Sequence, residues 1–535
     1  MSRILLSAVS ATALLLGASA HASQPPKGER IVVSASRIGL EANKVGSAYS
    51  VYDASDLRRN QIDFLKDVFL DTAGLFVNSE RPGGQTSVQI RGSENGQVLW
   101  LIDGFEVGDP SLIASEFESA HLSSFDIGKV EILRGNQSSL YGSDAIGGVI
   151  NIHTARKQTD GLRLGMEAEG GSFGWFSGGA SAASKGGPVD LRVSVNGARA
   201  SGPSVADPDL GPAGEDDPYY TIGFSGNLGV DLSQKTRAEV VGYGSISEAD
   251  LDGTGMDSTF FEEVYRESYL IGGRLTHSNL DGRLRLKGQA SKYMTDRNFS
   301  YSGGVADYEG ERENYDLHAA YDLSDMVSVV AGAAAEIERS ETDAFGTVVA
   351  VGNHTWSGFG EVALTPFDDV TVTGAVRGDD NSRFGSFVTY RFTGAYVVEP
   401  VRGAGVKLRA SYGTGAKAPS LYQLFDPFSG NPDLEAEESR GFDVGFDATV
   451  DALDAVLSAT FFWTRIENEI DYSSATFRYI QRGETLNRGI EVTASIAPCD
   501  WLELTQAYTF LHGDDLVDTM SIGRPRQIGS TSITV

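Results

Sequence analysis

The ten residues Trp501-Leu502-Glu503-Leu504-Thr505-Gln506-Ala507-Tyr508-Thr509-Phe510 decide the fold. Leu502, Leu504, Tyr508 and Phe510 fall on one face of an extended chain, and Glu503, Thr505 and Thr509 on the other. Period two means a strand with one wet and one apolar face. The same alternation recurs upstream. Leu191, Val193 and Val195 oppose Arg192, Ser194 and Asn196; Val406, Leu408 and Tyr412 oppose Lys407, Arg409 and Ser411. From residue 159 onward about 18 such segments follow one another.

Their connections alternate in length. Tight turns are expected at Lys185-Gly186-Gly187, 231–235, Leu280-Asp281-Gly282, 365–369 and Pro498-Cys499-Asp500. Between them lie polar stretches at 201–217, 248–266, 296–312, 340–353, 414–439, 467–478 and 512–525, which read as long loops. Strands of ~10 residues with short turns at one end and long loops at the other describe an outer-membrane β-barrel, short end periplasmic. A sheet closed on itself satisfies every backbone group in lipid. A secreted sandwich rarely reaches this strand count, and a solenoid would show a fixed repeat, which is absent.

Composition agrees. The chain has 535 residues, 64 of them glycine, and a formal charge of −30. That acidity excludes a nucleic-acid binder, whose footprint would be basic. The single cysteine, Cys499, excludes a disulfide framework. Residues 1–22 read as a secretory signal: Arg3, an apolar run from Ile4 to Gly17, then Ala20-His21-Ala22 as a cleavage site. The run is too short for a helical span, and no later segment is apolar enough to be one.

Residues 39–158 have a different texture. A helix beginning at Asp63 would bury Phe64, Val68 and Phe69. Short strands are expected at Ser87 to Arg91, Val98 to Ile102, Val130 to Leu133 and Val149 to Ile152. This is an α+β unit of about 120 residues, a usual domain size. Ahead of it, residues 23–38 form a leader carrying Pro25, Pro26 and Gly28. The organisation expected is therefore signal peptide 1–22, leader 23–38, small domain 39–158 and barrel 159–535.

Leu101-Ile102-Asp103-Gly104, Val130-Glu131-Ile132-Leu133-Arg134-Gly135, Ile90-Arg91-Gly92 and the run from Ser139 to Ile152 resemble the plug motifs of the TonB-dependent outer-membrane receptors. A phosphate loop is the other reading of the glycine-rich run, but no Lys-Ser/Thr follows it. The resemblance covers nearly all of the mature chain. It implies a plug folded inside the barrel lumen, and a TonB box at Glu29, Arg30, Ile31, Val32, Val33, Ser34 and Ala35. A short β-branched segment on a leader can add as a strand to the edge of a partner sheet, here that of TonB. Within the family the chain is most similar to the cobalamin receptor branch, through the Ile31–Arg37 stretch and Ser411 to Phe425. The Lys-Ala-Pro and Gly-Asn-Pro elements also occur in siderophore receptors. Family barrels have about 22 strands. Fewer are counted here, so the reading expects a C-terminally truncated barrel that does not close.

The resemblance places the substrate, cobalamin or an iron chelate, between the plug apices and the outer loops. Candidates are Asn78, Ser79, Glu80, Arg81 and Gln85 on one plug loop, Asp109 and Ser111 on another, and Tyr422, Phe425 and Phe428 in the loop at 414–439. Aromatic walls with a few polar anchors suit a bulky ligand. An ordinary interface girdle is the alternative for the aromatics. No covalent cofactor is expected. Asp216, Asp217, Asp250 and Asp252 lie in acidic loops that can hold Ca²⁺ if brought together; solvated acidic loops are the alternative. Arg91 and Arg134 follow plug strands, and Glu491 lies on the face opposite Ile490 and Val492, so an Arg–Glu pairing is expected to retain the plug. No catalytic constellation is visible, and the seven histidines are scattered.

Overall fold

The computed structural model describes residues 31–79, 86–156, 160–202, 216–250, 261–301, 304–401, 403–499, 501–515 and 524–535. Its largest element is one antiparallel sheet of 18 strands, from Gly161–Gly170 to Gln527–Thr534, each paired with its sequence neighbour. One interruption occurs: between Ala455–Glu467 and Glu484–Cys499 the chain makes a separate hairpin, Ile470–Ser473 with Arg478–Gln481. The two end strands of the sheet are not paired with each other.

The period-two reading fixes which way side chains point. In Glu437–Val450, Phe442, Val444 and Phe446 are exposed on the outside, while Asp443 is 2% exposed on the inside. In Ala455–Glu467, Leu457 and Phe461 face out and Thr460 and Phe462 face in. An apolar exterior around a polar interior is the arrangement a lipid-embedded barrel requires. Among the described residues no helix is long and apolar enough to cross a membrane.

Two stretches expected as loops are strands. Leu284–Tyr301 with Gly304–Ser324, and Val327–Ala344 with Thr347–Phe367, form tall hairpins of 18 to 21 residues per strand. Polar sequence at 296–312 and 340–353 suggests loop, but ladder hydrogen bonds are sequence-independent. The tight turn at Phe345 and Gly346, both at positive φ, carries the pairing to the tip.

The small domain folds inside this wall. Its sheet has five strands, ordered Tyr49–Asp53, Ile127–Arg134, Gly148–Thr154, Val98–Ile102 and Phe105–Val107; the third and fourth are parallel. Leu75–Ser79 and Thr86–Ile90 form a separate hairpin. The expected helix spans Leu65–Leu70 and buries Leu65, Val68 and Phe69. Its N-cap is Phe64 and not Asp63. A second helix, Ala54–Arg59, precedes it, with the Asp53 amide donating to Asp56 Oδ2 at 2.9 Å.

Contacts run around the wall. Lys407 donates to the Ala42 carbonyl at 3.0 Å, Arg391 to Ser47 Oγ at 2.6 Å, and the Gly74 amide to Thr509 Oγ1 at 2.7 Å. Asn487 reaches the Gly92 carbonyl, Asn136 the Gly413 carbonyl, and Arg192 pairs with Asp126. The domain is therefore a plug within the lumen. Its aromatic core, Phe69, Trp100, Phe105 and Phe117, continues onto Tyr293 of the wall.

Candidate functional site

At the long-loop end a cavity of about 690 Å³ opens between plug and wall. The plug contributes Asn78, Ser87, the turn Glu94 to Gln97, and Ile113, Ala114 and Glu116; the wall contributes Tyr308, Phe345, Lys417 and Glu437. Two loop elements close it. One is the helix Leu421–Phe425, capped by Ser420, whose Oγ accepts from the Gln423 amide at 3.0 Å and donates to the plug carbonyl of Ile113 at 2.6 Å. The other is the hairpin 470–481, joined to the first by Asn431 donating to the Tyr479 carbonyl at 2.8 Å.

Aromatic rings line the cavity in two groups, a chain of four tyrosines and a pair of phenylalanines. Ring centroids of Tyr308 and Tyr422 lie 6.2 Å apart, Tyr422 and Tyr479 6.2 Å, Tyr479 and Tyr472 5.5 Å, and Phe345 and Phe428 6.1 Å. These spacings suit edge and tilted ring contacts, and leave faces for a large ligand. Beneath them sits a polar floor. Gln97 of the plug donates to Glu437 Oε2 at 2.9 Å, and the Ile470 amide to Glu437 Oε1 at 2.8 Å. Burial pushes the Glu116 carboxyl up to about 7, with nearby Glu118 adding to the rise and Lys417 opposing it.

Of the residues expected to bind substrate, Asn78, Tyr422 and Phe428 line this cavity. Phe425 packs beside it under the Arg383 guanidinium, 4.9 Å from the ring centroid. Ser79 accepts from Thr86 across its own hairpin. Asp109 and Ser111 do not line the cavity. Both are buried, and Arg297 of the wall takes them: its Nε lies 2.9 Å from Asp109 Oδ2 and its Nη2 donates to the Ser111 carbonyl at 2.9 Å. They staple plug to wall, because a buried charge needs a partner more than a ligand does. Glu80, Arg81 and Gln85 lie outside the described residues. Glu94, Glu116, Lys417, Glu437 and Tyr479 were not expected. Lys417 could have been, since it belongs to the quoted Lys-Ala-Pro element.

Below the cavity, Arg91 meets Glu491. Its Nε and Nη2 donate to the two carboxylate oxygens at 2.8 and 2.9 Å, a bidentate pair of almost fully buried groups. Its Nη1 lies 3.7 Å from Asp443, and its guanidinium stacks on Phe462 at 4.8 Å. Arg134 donates to Ser50 Oγ at 2.5 Å instead of to Glu491. Gly74 is what allows the close fit. It has φ +86°, and a Cβ there would stand 2.0 Å from Glu491 Oε1.

At the short-turn end lies the leader. Ile31–Val32 pair with Leu40–Glu41. Ser34 is fully buried, its amide and Oγ donating to Glu131 Oε2 at 2.9 and 2.5 Å, and it accepts from Asn151 and Tyr141. Ala35 is buried as well. Burial alone would raise the Glu131 carboxyl, but His153, 3.6 Å away, and the Lys129 ammonium bonded to it hold it well below the ordinary range. Arg37 pairs with Asp316 of the wall at 2.9 Å and its amide donates to Glu361. Glu29 and Arg30 lie outside the described residues.

Of the residues expected to hold calcium, Asp252 lies outside the described residues; among the described residues no group of three or more His, Cys, Asp or Glu is placed to hold a metal ion.

Residues 195–534 match the family described as TonB dependent receptor-like, beta-barrel, and residues 41–149 the TonB-dependent Receptor Plug Domain. The chain is 28% identical over 504 residues to the Vitamin B12 transporter BtuB of Photobacterium profundum, covering 92% of this chain and 80% of that one. Among solved structures it is similar to the siderophore receptor PirA from Acinetobacter baumannii, with TM-score 0.72, 17% identity, and coverage of 91% and 83%. It is also similar to a mutant of the ferric enterobactin receptor PfeA from Pseudomonas aeruginosa, with TM-score 0.71, 16% identity, and coverage of 88% and 80%.

Proposed function

This chain belongs to the TonB-dependent receptors, and from that premise we propose that it imports a bulky nutrient, cobalamin, across the outer membrane of a Gram-negative bacterium. One observation carries the reading. The aromatic cavity lies at the long-loop end, the docked leader at the short-turn end, and a plug fixed by buried ion pairs fills the lumen between them. Ligand bound above cannot pass until force applied below moves the plug. The leader offers a β-branched edge for a periplasmic partner, TonB, to pair with and pull. A passive channel has no use for a pinned stopper. Cobalamin is favoured by the curated relative's name and by the rings that line the cavity.

The test is cobalamin-dependent growth in a host lacking its own receptor, together with cyanocobalamin binding to the purified protein. Growth restored and saturable binding are expected. A receptor that binds only iron chelates would contradict the cobalamin assignment and leave the importer assignment standing.

A further inference from the structure

Cavities stand in line along one arc of the wall. Below the aromatic cavity, a narrow shaft of about 90 Å³ runs between the plug and the strands from Leu284–Tyr301 to Val370–Asn381. Its lining is polar, with Glu106, Ser143 and Asp144 from the plug and Gln289, Asn314 and Glu336 from the wall. A thin seam divides shaft from aromatic cavity. Ala114 and Lys417 line the cavity, and their neighbours Ser115 and Ala418 line the shaft. Hydrogen bonds close that seam, from Ser420 Oγ to the Ile113 carbonyl at 2.6 Å and from the Ala418 amide to Ser143 Oγ at 3.2 Å. At the lower end, Arg37 of the leader lines both the shaft and a cavity of about 810 Å³ beside the short turn Ser233 to Arg237. It is the divider there, with its Nη1 on Asp316 at 2.9 Å and its Nε and Nη2 on the Leu140 carbonyl at 3.1 and 2.6 Å.

We propose that the plug opens along this arc and hinges at the Arg91–Glu491 seam, so that the ligand passes from the aromatic cavity through the widened shaft to the short-turn end. The inference deepens the importer reading and rests on it. The two seams part at different cost. On the shaft side, Arg312 of the wall is 2% exposed and pairs with Glu106 of the plug. It also holds Glu338 at 2.6 Å and Glu336 at 3.5 Å, both on the wall, so its charge stays paired when the plug withdraws. Arg297, which holds Asp109 beside the shaft, keeps the ring of Tyr308 at 5.0 Å. The reverse holds at the hinge. Among the described residues the carboxylates on Arg91, Glu491 and Asp443, belong to the wall, so parting there strands a buried guanidinium. That seam is also close-packed: a Cβ at Gly92 would stand 2.9 Å from Leu511 Cδ2. The plug element facing the shaft is the one best able to yield. Phe105–Val107, which carries Glu106, is an edge strand held to its sheet by three residue pairs. Polar groups along the shaft regain hydration as it widens.

Thiol labelling on either arc tests this in the full-length chain carrying Cys499→Ser. Ser291 lines the shaft, and Thr460 stands opposite Glu491 in the ladder; both are buried. Maleimide labelling of purified Ser291→Cys and Thr460→Cys is followed in urea below the unfolding transition. Urea should speed labelling of Ser291→Cys at least about tenfold more than that of Thr460→Cys. Equal acceleration, or Thr460→Cys ahead, overturns the inference. Should either variant not fold, Ser357→Cys on the shaft and Thr509→Cys on the other side of Glu491 replace them. In energised cells given cyanocobalamin, Ser291→Cys should label at least about fivefold faster than in cells lacking TonB, and Thr460→Cys should change by under about twofold. A rise at both alike means that the plug leaves whole, and overturns the hinge. A rise at neither while uptake proceeds overturns the route. A rise at neither without uptake sinks the cobalamin assignment, and the order in urea then decides the inference by itself.

Discussion

In the plug strand Val98–Ile102 every residue is buried; in the wall strand Glu437–Val450, Asp443 is buried and Val444 is half exposed. Both are strands, and they answer to different surroundings. The plug is covered on all sides, so its sheet reads as near-continuous apolar runs. The wall meets lipid outside and protein inside, so it alternates. Where the two regions touch, the apolar contact onto Tyr293 is joined by discrete ion pairs: Arg91 with Glu491, Arg297 with Asp109, Arg192 with Asp126. For a plug that must move, discrete ion pairs are suitable latches, because a pair breaks over a short displacement and both partners can be rehydrated.

That contrast can be broken from either side. The largest effect is expected at the seam. Glu491→Ala strands the Arg91 guanidinium, a loss of roughly 3–5 kcal/mol in plug retention. Limited proteolysis should then cut the plug at lower denaturant, with the wall unaffected; unchanged cleavage removes this pair from the latch. Next comes the outer face. Val444→Arg should cost roughly 2–4 kcal/mol on folding into vesicles, if the residue sits near the bilayer midplane. No cost there would mean that this face does not meet lipid.

The smallest effect is expected at the leader. Glu131 has its folded pKa lowered, so its contribution is fully present above the ordinary carboxylate range and is lost as pH falls through and below it. The Ser34 amide donates to Glu131, so its protection from hydrogen exchange, taken relative to the intrinsic rate at each pH, should fall as pH is taken from neutral down to about 3, and Glu131→Gln should show lowered protection already at neutral pH. Protection flat with pH in both proteins would mean that Glu131 does not hold the leader.

Much of this was legible in the sequence, for stated reasons. Alternation in residues such as 501–510 and the short-turn ends pointed to the wall, since period two is a local signal. Glu491 was legible because it lies between two outward apolar neighbours and so must point inward. The tall hairpins were not, because polar residues on both faces resemble a loop until a partner strand is known. Asp109 and Ser111 looked like ligand contacts because nothing local announces Arg297 from the wall. The cavity was the least legible part. Its lining comes from separate segments, Asn78, Glu94 to Gln97, Glu116, Tyr308, Lys417 and Tyr479, brought together only by closure of the wall around the plug.

In the proposed mechanism, force on the leader, and not diffusion past the plug, moves the ligand. Deleting residues 29–35 and measuring binding and uptake in the same cells tests it most directly. Binding at wild-type affinity with uptake abolished is the predicted result. Uptake that continues at the wild-type rate without the leader would contradict it.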